Sequence, residues 1–194
     1  GNCIGDAIGL LSEFMNKSEA KKYYKDKKGH IEYEHKVPDM HRARWENGDW
    51  TDDSDQMILI MDSICENNGQ VIYRDFGQRL LKWAKEGFRE LGDLVGMGQG
   101  ATTTWVLRHP KYQTDPHEAS EDIWKRSGCQ VAPNGAAMRT SVLGVYQYCS
   151  LDDVISHSLD ICKVTHADPR CQASVVAITT AIALMLQRPE RLLK

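Results

Sequence analysis

Residues 50–69 read WTDDSDQMILIMDSICENNG, and this stretch indicates the fold class. Its apolar residues Met57, Ile60, Met61 and Ile64 recur at the spacing of one face of an α-helix, and Asn-Asn-Gly at its end is a typical helix stop. The same periodicity returns in residues 76–88, 154–162 and 173–186. Alternating strand patterns extend over a few residues at most, so we expect an all-α protein.

The composition is that of one ordinary globular domain covering residues 1–194. The chain is 41% hydrophobic and 26% charged, and its net charge of −3 gives no bulk electrostatic reason to bind nucleic acid or a membrane surface. The basic and aromatic run at residues 21–30 is interpreted as a solvated loop or helix face. The apolar run 173–186 is too short to cross a bilayer and is interpreted as a buried helix.

Six cysteines are spread along the chain without a Cys-x-x-Cys pair. A chain of this length can form a stable hydrophobic core without disulfide bonds. We therefore expect the cysteines to be buried thiols of a protein in a reducing compartment. This predicts a cytoplasmic protein, with the nucleus as a second location. Gly1, which stands where an initiator Met or a helix cap is expected, suggests that the sequence begins at a cut.

The acids Asp52, Asp53 and Asp55 are crowded into four positions behind Thr51. Each pair of like charges at 4 Å costs about 1 kcal/mol even in water. Two interpretations account for them. Thr51 can cap a helix whose first turn favours acids, or the carboxylates and the Thr51 hydroxyl can bind a hard divalent cation. The spacing leaves both interpretations open.

Two segments are rich in glycine. Residues 134–139, Asn-Gly-Ala-Ala-Met-Arg, pass from a turn into a helix, where small residues and a helix N-terminus can approach a phosphate. An ordinary tight turn is the alternative, with Arg139 in an ion pair. In residues 92–104, Gly98 and its neighbouring glycines free the backbone and three threonines offer hydroxyls, although a flexible linker has the same composition.

Thr165-His166 precedes Ala167-Asp168-Pro169 and an apolar helix. A histidine in that position is usually packed or capping, and catalysis is the alternative. Serine and cysteine occur in no recognisable nucleophile motif, so the sequence does not support covalent catalysis.

Together and in this order, these segments resemble the ADP-ribosylglycohydrolase family, which comprises dinitrogenase-reductase-activating glycohydrolases and ADP-ribosyl-acceptor hydrolases. The resemblance rests on residues 5–9 with Glu13 and Phe14, residues 50–54 with Met57, residues 133–139 and residues 165–169. It implies a compact orthogonal bundle of helices with a cleft that holds two Mg²⁺ or Mn²⁺ ions. It also implies hydrolysis of the bond between ADP-ribose and an acceptor.

The resemblance also implies roles for single residues. Thr51, Asp52 and Asp53 match metal ligands, and Asp55 is expected outside the metal's ligand set. Glu13 matches an acid on a mobile loop near the metals, so the predicted catalytic residues are Glu13, Asp52 and Asp53. The predicted substrate-binding residues are Gly98, Asn134, Gly135, Ala136, Ala137, Met138 and His166. The expected partner is an ADP-ribosylated protein or a small ADP-ribose derivative, with Arg, Ser and O-acetyl acceptors all open.

One family motif has no match. A second metal-binding segment, Asp-x-Asp-Thr or Asp-x-Asp-Ser, is expected near the C-terminus, and the sequence ends at Lys194 without it. We expect that this part was cleaved off as a second chain or lies outside this sequence. A degenerate family member is the third explanation. The rival functions are accordingly an ADP-ribose-binding pseudoenzyme and a crystallin-like structural protein.

Overall fold

A computed structural model describes residues 1–27 and 29–187, and the all-α prediction is confirmed for them. They contain nine α-helices, several short 3-10 turns and no strand. They group into two compact units, residues 1–54 and residues 55–194, each described by itself below. The helices are α1 Asn2–Gly9, α2 Lys17–Tyr24, α3 Asp52–Glu66, α4 Tyr73–Glu86, α5 Ala101–Leu107, α6 Pro116–Arg126, α7 Ser141–Val145, α8 Leu151–Lys163 and α9 Pro169–Gln187.

In the first unit, a capping box at the N-terminus fixes where helix α2 begins. The Asn16 side chain accepts hydrogen bonds from the backbone of Ser18 and Glu19, and the Glu19 carboxylate accepts one from the backbone of Asn16. This reciprocal box satisfies amides that a helix start otherwise leaves without partners. At the other end of α2, the buried Tyr24 hydroxyl donates to the Leu11 carbonyl at 2.5 Å. Part of the polar segment 17–44 is therefore an anchored helix.

The main hydrophobic core of the second unit forms where the apolar faces of the predicted helices pack together. Ile60 of α3, Phe76 and Leu80 of α4, Val106 of α5 and Ile161 of α8 all pack into it with 0–1% of their surface exposed. Helix α3 ends as predicted, because Asn68 and Gly69 take positive φ angles of 53° and 81°. Burial of this contiguous apolar surface is the main stabilising term of the unit.

Helix α4 ends at Glu86, two residues before the end of its apolar stripe. Gly87 has a φ of 61°, which stops the helix, and the Phe88 amide donates to the Asp93 carboxylate at 2.9 Å. Phe88 therefore packs against the core from outside the helix. The prediction of a helical Phe88 was wrong because apolar periodicity does not register a left-handed glycine.

Helix α9 corrects two expectations about the apolar run 173–186. The helix is 19 residues long, and in the described part of the chain it is the one helix with the length and composition to cross a membrane. Core helices pass the same test, and about a fifth of its apolar window is buried. Its buried positions lie four residues apart on a single face: Cys171, Val175, Thr179 and Ala183. The run is therefore buried on one face, and Ile178, Leu184 and Met185 are exposed.

Helices α7 and α9 approach each other at Gly144. A Cβ atom added there would lie 2.5 Å from the Thr179 carbonyl oxygen and 2.9 Å from the Cβ of Ile182. Because the obstruction is backbone, Gly144→Ala is expected to lower the free energy of unfolding by about 1–3 kcal/mol. Urea unfolding measures this. The control is Gly5→Ala in α1, where the added Cβ meets nothing within 4 Å. Equal stability of the two variants would contradict the close approach.

The thiol prediction is confirmed for two cysteines and wrong for three. All six cysteines are free, and Cys162 and Cys171 are buried. Burial raises the pKa of the Cys162 thiol to about 12, so it stays protonated. Cys65, Cys129 and Cys149 are exposed, because they follow or lie outside the apolar stripes that enter the core.

Candidate functional site

Acidic side chains of the first unit gather at the start of α3, and we call Asp6, Glu13, Thr51, Asp52 and Asp53 the acid group. Asp6, from α1, accepts hydrogen bonds from both the amide and the hydroxyl of Thr51 and of Ser54, at 2.7–3.0 Å. Asp6 therefore caps α3, where Thr51 was the predicted cap. The Thr51 hydroxyl instead donates, at 2.8 Å to Asp6 and at 3.4 Å to Asp53.

The Asp53 carboxylate lies in an unfavourable electrostatic environment. Partial burial, followed by the negative charges of Asp6 and Glu13, raises its pKa to about 6. Each of these causes disfavours the ionised form of an acid. Asp53 and Glu13 were predicted together from separate motifs, and their charges are close enough to act on each other. The structure thus brings together the acids that the sequence suggested for catalysis.

The other two aspartates of the motif have different surroundings. Asp52 retains 7% of its surface exposed, so it is buried, like Asp168 and unlike most acids among the residues that the structure describes. Asp55, in the second unit, accepts a hydrogen bond at 3.1 Å from the indole of Trp83. This bond anchors a large core side chain, and the exclusion of Asp55 from the metal's ligand set stays a prediction.

The acid group suits a hard divalent cation in chemistry and charge. Carboxylates and a hydroxyl are the donors that Mg²⁺ and Mn²⁺ prefer, and a cation would turn the repulsion on Asp53 into attraction. Among residues 1–27 and 29–187, the His, Cys, Asp and Glu side chains form no group of three that is already arranged to hold a metal. The donor types match the ligand chemistry of a divalent ion, and the metal assignment stays a prediction.

In the second unit, segments from three parts of the sequence meet around His166. A Cβ atom on Gly135 would lie 3.1 Å from Cε1 and Nε2 of the His166 ring and 3.8 Å from the Thr103 hydroxyl. A side chain at position 135 would be tighter against the ring than ordinary packing, so the ring would have to shift by a few tenths of an ångström. We call Thr103, Gly135, Thr165 and His166 the histidine group. Its members come from the threonine, asparagine–glycine and histidine motifs.

The charge and tautomer of His166 follow from its neighbours. The residue is 3% exposed, and this burial, with the charge of Arg139, lowers the pKa of His166 to about 3. The ring is thus neutral at physiological pH. Arg139 donates to the Thr165 hydroxyl at 2.8 Å, and that hydroxyl lies 2.7 Å from Nδ1 of His166. We assign the hydroxyl proton of Thr165 to the bond with Nδ1, and with this assignment Nε2 carries the ring proton, next to Gly135.

A small pocket borders the ring of His166. Trp105, Trp124, Ile123 and Val131 line its apolar side, and its volume is about 10 Å³. That volume holds about one water molecule. A nucleotide base would enter this pocket only after the side chains around it have moved.

Residues 134–139 form a tighter structure than the predicted helix start. The amides of Ala137 and Met138 donate to the Asn134 carbonyl at 2.8 and 3.4 Å, which opens a 3-10 turn, Ala137–Arg139. These two amides are engaged within the turn, so a phosphate there would use other atoms of Asn134, Gly135 and Ala136. The role of Asn134–Met138 in substrate binding stays a prediction.

Arg139 is a structural centre of the second unit. Its guanidinium is fully buried and donates to Gln56 at 2.8 Å, to the Ile161 carbonyl at 3.2 Å and to Thr165. It also lies over the ring of Phe76, 5.1 Å from its centroid. These contacts join the cation to neutral oxygens and to an aromatic face.

Gly98 and Asp168 have structural roles. The sequence alone could not distinguish such roles from substrate binding. Gly98 has a φ of 90°, a left-handed conformation that favours glycine in the loop before α5. Asp168 accepts hydrogen bonds from the Trp124 indole at 2.8 Å and from Arg170, and these bonds hold its pKa well below the usual range. Asp168 thereby fixes the start of α9, directly after the histidine group.

Sequence reasoning missed Asp6 and His41, which contacts Glu13 in the first unit. Asp6 lies in the quoted motif 5–9, which was the one available signal, but its partners are 45 and 48 residues away. His41 lies in a polar segment without any motif, so no signal in a single sequence singles it out.

Comparison with known proteins gives a consistent result. A family model described as ADP-ribosylglycohydrolase matches residues 1–194. A protein of Archaeoglobus fulgidus described as "Uncharacterized protein" is 26% identical over 187 residues, which is 94% of this chain and 52% of that protein. The chain therefore spans about half the length of the curated relative that it matches.

Proposed function

This chain belongs to the ADP-ribosylglycohydrolase family, and from that premise we propose that it is a metal-dependent hydrolase that removes ADP-ribose from a modified acceptor. The acceptor is a protein side chain, Arg or Ser, or a small ADP-ribose derivative. The observation that carries the proposal is the geometry of the acid group: Asp6 binds Thr51 and Ser54 at the start of α3, and Asp53 lies partly buried near Asp6 and Glu13.

In this proposal, Thr51, Asp52 and Asp53 hold Mg²⁺ or Mn²⁺, two ions being the number that the family resemblance implies. When bound, the ions stabilise developing negative charge and orient hydroxyls and water. Asp6 keeps α3 in place beneath these ligands through its bonds to Thr51 and Ser54. Glu13 supplies a further carboxylate that can accept a proton from water or orient the substrate.

The histidine group supports a role in recognising ADP-ribose. The Nε2–H of His166 faces Gly135, which has no side chain in the way. A neutral imidazole with this tautomer is a directed donor for a hydroxyl or phosphate oxygen, and its pKa of about 3 keeps it neutral over the working range. Asn134 to Met138 and Gly98 supply backbone and small side chains for the ribose and diphosphate.

Metal removal tests this function. We expect the purified protein to release ADP-ribose from ADP-ribosylated peptides in the presence of Mg²⁺ or Mn²⁺, and to lose that activity in excess chelator. Metal at a hundredfold excess over its Kd should stabilise the fold by about 2.7 kcal/mol, which is visible as a rise in Tm. Hydrolysis that is indifferent to chelator would contradict the metal assignment. Tight ADP-ribose binding without turnover would instead identify a pseudoenzyme.

The exposed side of α9 bears on the predicted second chain. Ile178, Leu184 and Met185 are 39–44% exposed on a helix with no charged residue between Arg170 and Gln187. We propose that a C-terminal segment of the same protein, on the same or a separate chain, packs against this side. Mass analysis of the protein purified from its natural source tests this, because a second fragment of the same gene product should accompany the chain.

A further inference from the structure

The first unit holds the loop of Glu13 in place through several contacts from residues 39–45. The buried guanidinium of Arg42 donates to the Leu11 carbonyl at 3.1 Å and to the Glu13 carbonyl. Asp39 in turn accepts from the amides of His41 and Arg42 at 3.0 and 2.7 Å. The backbone on which Glu13 sits is therefore fixed by a segment nearly 30 residues further along the chain.

The Glu13 side chain is fixed by His41. Nε2 of His41 lies 2.7 Å from Oε2 of Glu13. The ring of His41 packs edgewise between Phe14 and Trp45, with centroid distances of 4.9 and 5.1 Å. The imidazole is thus in contact with two aromatic rings, which restrict its orientation toward Glu13. The second carboxylate oxygen, Oε1, lies outside this bond.

Arg44 determines which nitrogen of His41 carries the proton. Its guanidinium lies 2.6 Å from Nδ1 of His41 and packs 4.5 Å from the ring of Trp45. A guanidinium only donates hydrogen bonds, so Nδ1 must accept and the ring proton belongs to Nε2. His41 therefore donates to Glu13. The chain of contacts runs from Arg44 through the imidazole of His41 to the carboxylate of Glu13.

The backbone at Glu13 and Phe14 supports a functional reason for this arrangement. Phe14 has a φ of 59°, which is uncommon for a residue with a bulky side chain, and its ring is 82% exposed. Such conformations cost free energy and persist where the surrounding contacts impose them, often at functional sites. The contacts from Arg42 and His41 are the ones that impose it here.

We propose that His41 is a positioning residue for the hydrolysis, which orients the Glu13 carboxylate by donating from Nε2, with Arg44 fixing its tautomer. This rests on the proposed function, since it requires Glu13 to act in the reaction. Removing a residue that orients a ligand or a reacting carboxylate usually costs about 10- to 100-fold in activity. We expect the loss to lower kcat and to leave KM nearly unchanged, because the proposed role of His41 is to orient Glu13 and not to bind the substrate.

The test compares three variants with the wild type in steady-state hydrolysis of an ADP-ribosylated peptide at saturating Mg²⁺. His41→Leu, which has no donor, should lower kcat by about 10- to 100-fold with little change in KM. His41→Gln keeps an N–H donor and should retain most of kcat. Arg44→Met should give an intermediate loss. His30→Leu, at an exposed position of the same unit, is the matched control and should match the wild type.

The outcomes separate this inference from the proposed function. If the wild type is active and His41→Leu retains its kcat, or His41→Gln loses as much as His41→Leu, the positioning role is wrong and the proposed function stands. A wild type without metal-dependent hydrolysis overturns both. Nitrogen-15 NMR of the imidazoles gives a readout that does not depend on turnover. It should find the His41 proton on Nε2, and a proton on Nδ1 would overturn the inference even in an active enzyme.

Discussion

Replacing Asp53 with asparagine is expected to make the metal-free protein more stable and to abolish its response to Mg²⁺. In the absence of metal, folding moves an ionised Asp53 into a partly buried position beside Asp6 and Glu13 and raises its pKa to about 6. A rise of that size from the ordinary value costs about 2–3 kcal/mol at pH 8. Asparagine carries no charge, so the variant avoids this cost and also loses a metal ligand.

The effect of Asp53→Asn depends on pH in a defined direction. Since folding raises this pKa, the native state binds more protons than the unfolded state between about pH 4 and pH 6. Stability contributed by Asp53 therefore falls as the pH rises through that window, and the full cost is present above it. The variant should gain most over the wild type at pH 8 and little at pH 4.

Urea unfolding at pH 4 and pH 8, with chelator and with Mg²⁺, measures both parts of this prediction. Asp26→Asn is the control, since Asp26 is an exposed acid of the same unit. It should change neither the pH dependence nor the Mg²⁺ response. If Asp53→Asn were less stable than the wild type in chelator at pH 8, the repulsion inferred for the acid group would be absent.

Replacing Arg139 with methionine is expected to lower the free energy of unfolding by about 3 kcal/mol or more. The guanidinium donates to Gln56, Ile161 and Thr165 in a site with no exposed surface. Methionine fills part of the volume but removes three hydrogen bonds that Arg139 donates to buried acceptors, and each bond lost in a buried site costs about 1–3 kcal/mol. Lysine should not rescue the variant, because one ammonium group cannot reproduce a planar fork of donors.

Chemical denaturation at neutral pH measures the Arg139→Met effect, with Arg126→Met as its control. The side chain of Arg126 is 70% exposed and pairs with Asp122 on the surface of α6, so its loss should cost well under 1 kcal/mol. A similar small loss at Arg139 would mean that its buried hydrogen bonds are offset by the cost of burying the cation.

Much of the fold follows from the sequence because helical periodicity is local. The stripe in residues 57–64 predicted α3, and the corresponding stripes predicted α4, α8 and α9. The wrong predictions, on the end of α4 and the burial of α9, concern features that apolar periodicity does not encode. Gly87 stops α4 through its backbone angle, and α9 is apolar on a side that is exposed in the second unit.

The site was predictable where a motif names residue types and unpredictable where contacts join distant segments. Thr51, Asp53 and Glu13 were candidates from their motifs, and the acid group contains all of them. Asp6 and His41 reach their partners across 45 and 28 residues, so neither composition nor spacing signals the contact. Arg139 was visible in its motif, but its burial depends on α3 and α8 packing around it.

The bond between Asp6 and Thr51 joins the two ends of the 44 residues that separate them. Lengthening a connection whose ends are already pinned costs little, about 0.6 kcal/mol for each doubling of its length. The exposed residues 29–32, which precede Asp39 and His41, are thus a natural place to insert a reporter peptide or to compare relatives of unequal length. Such changes should leave the first turn of α3 where it is.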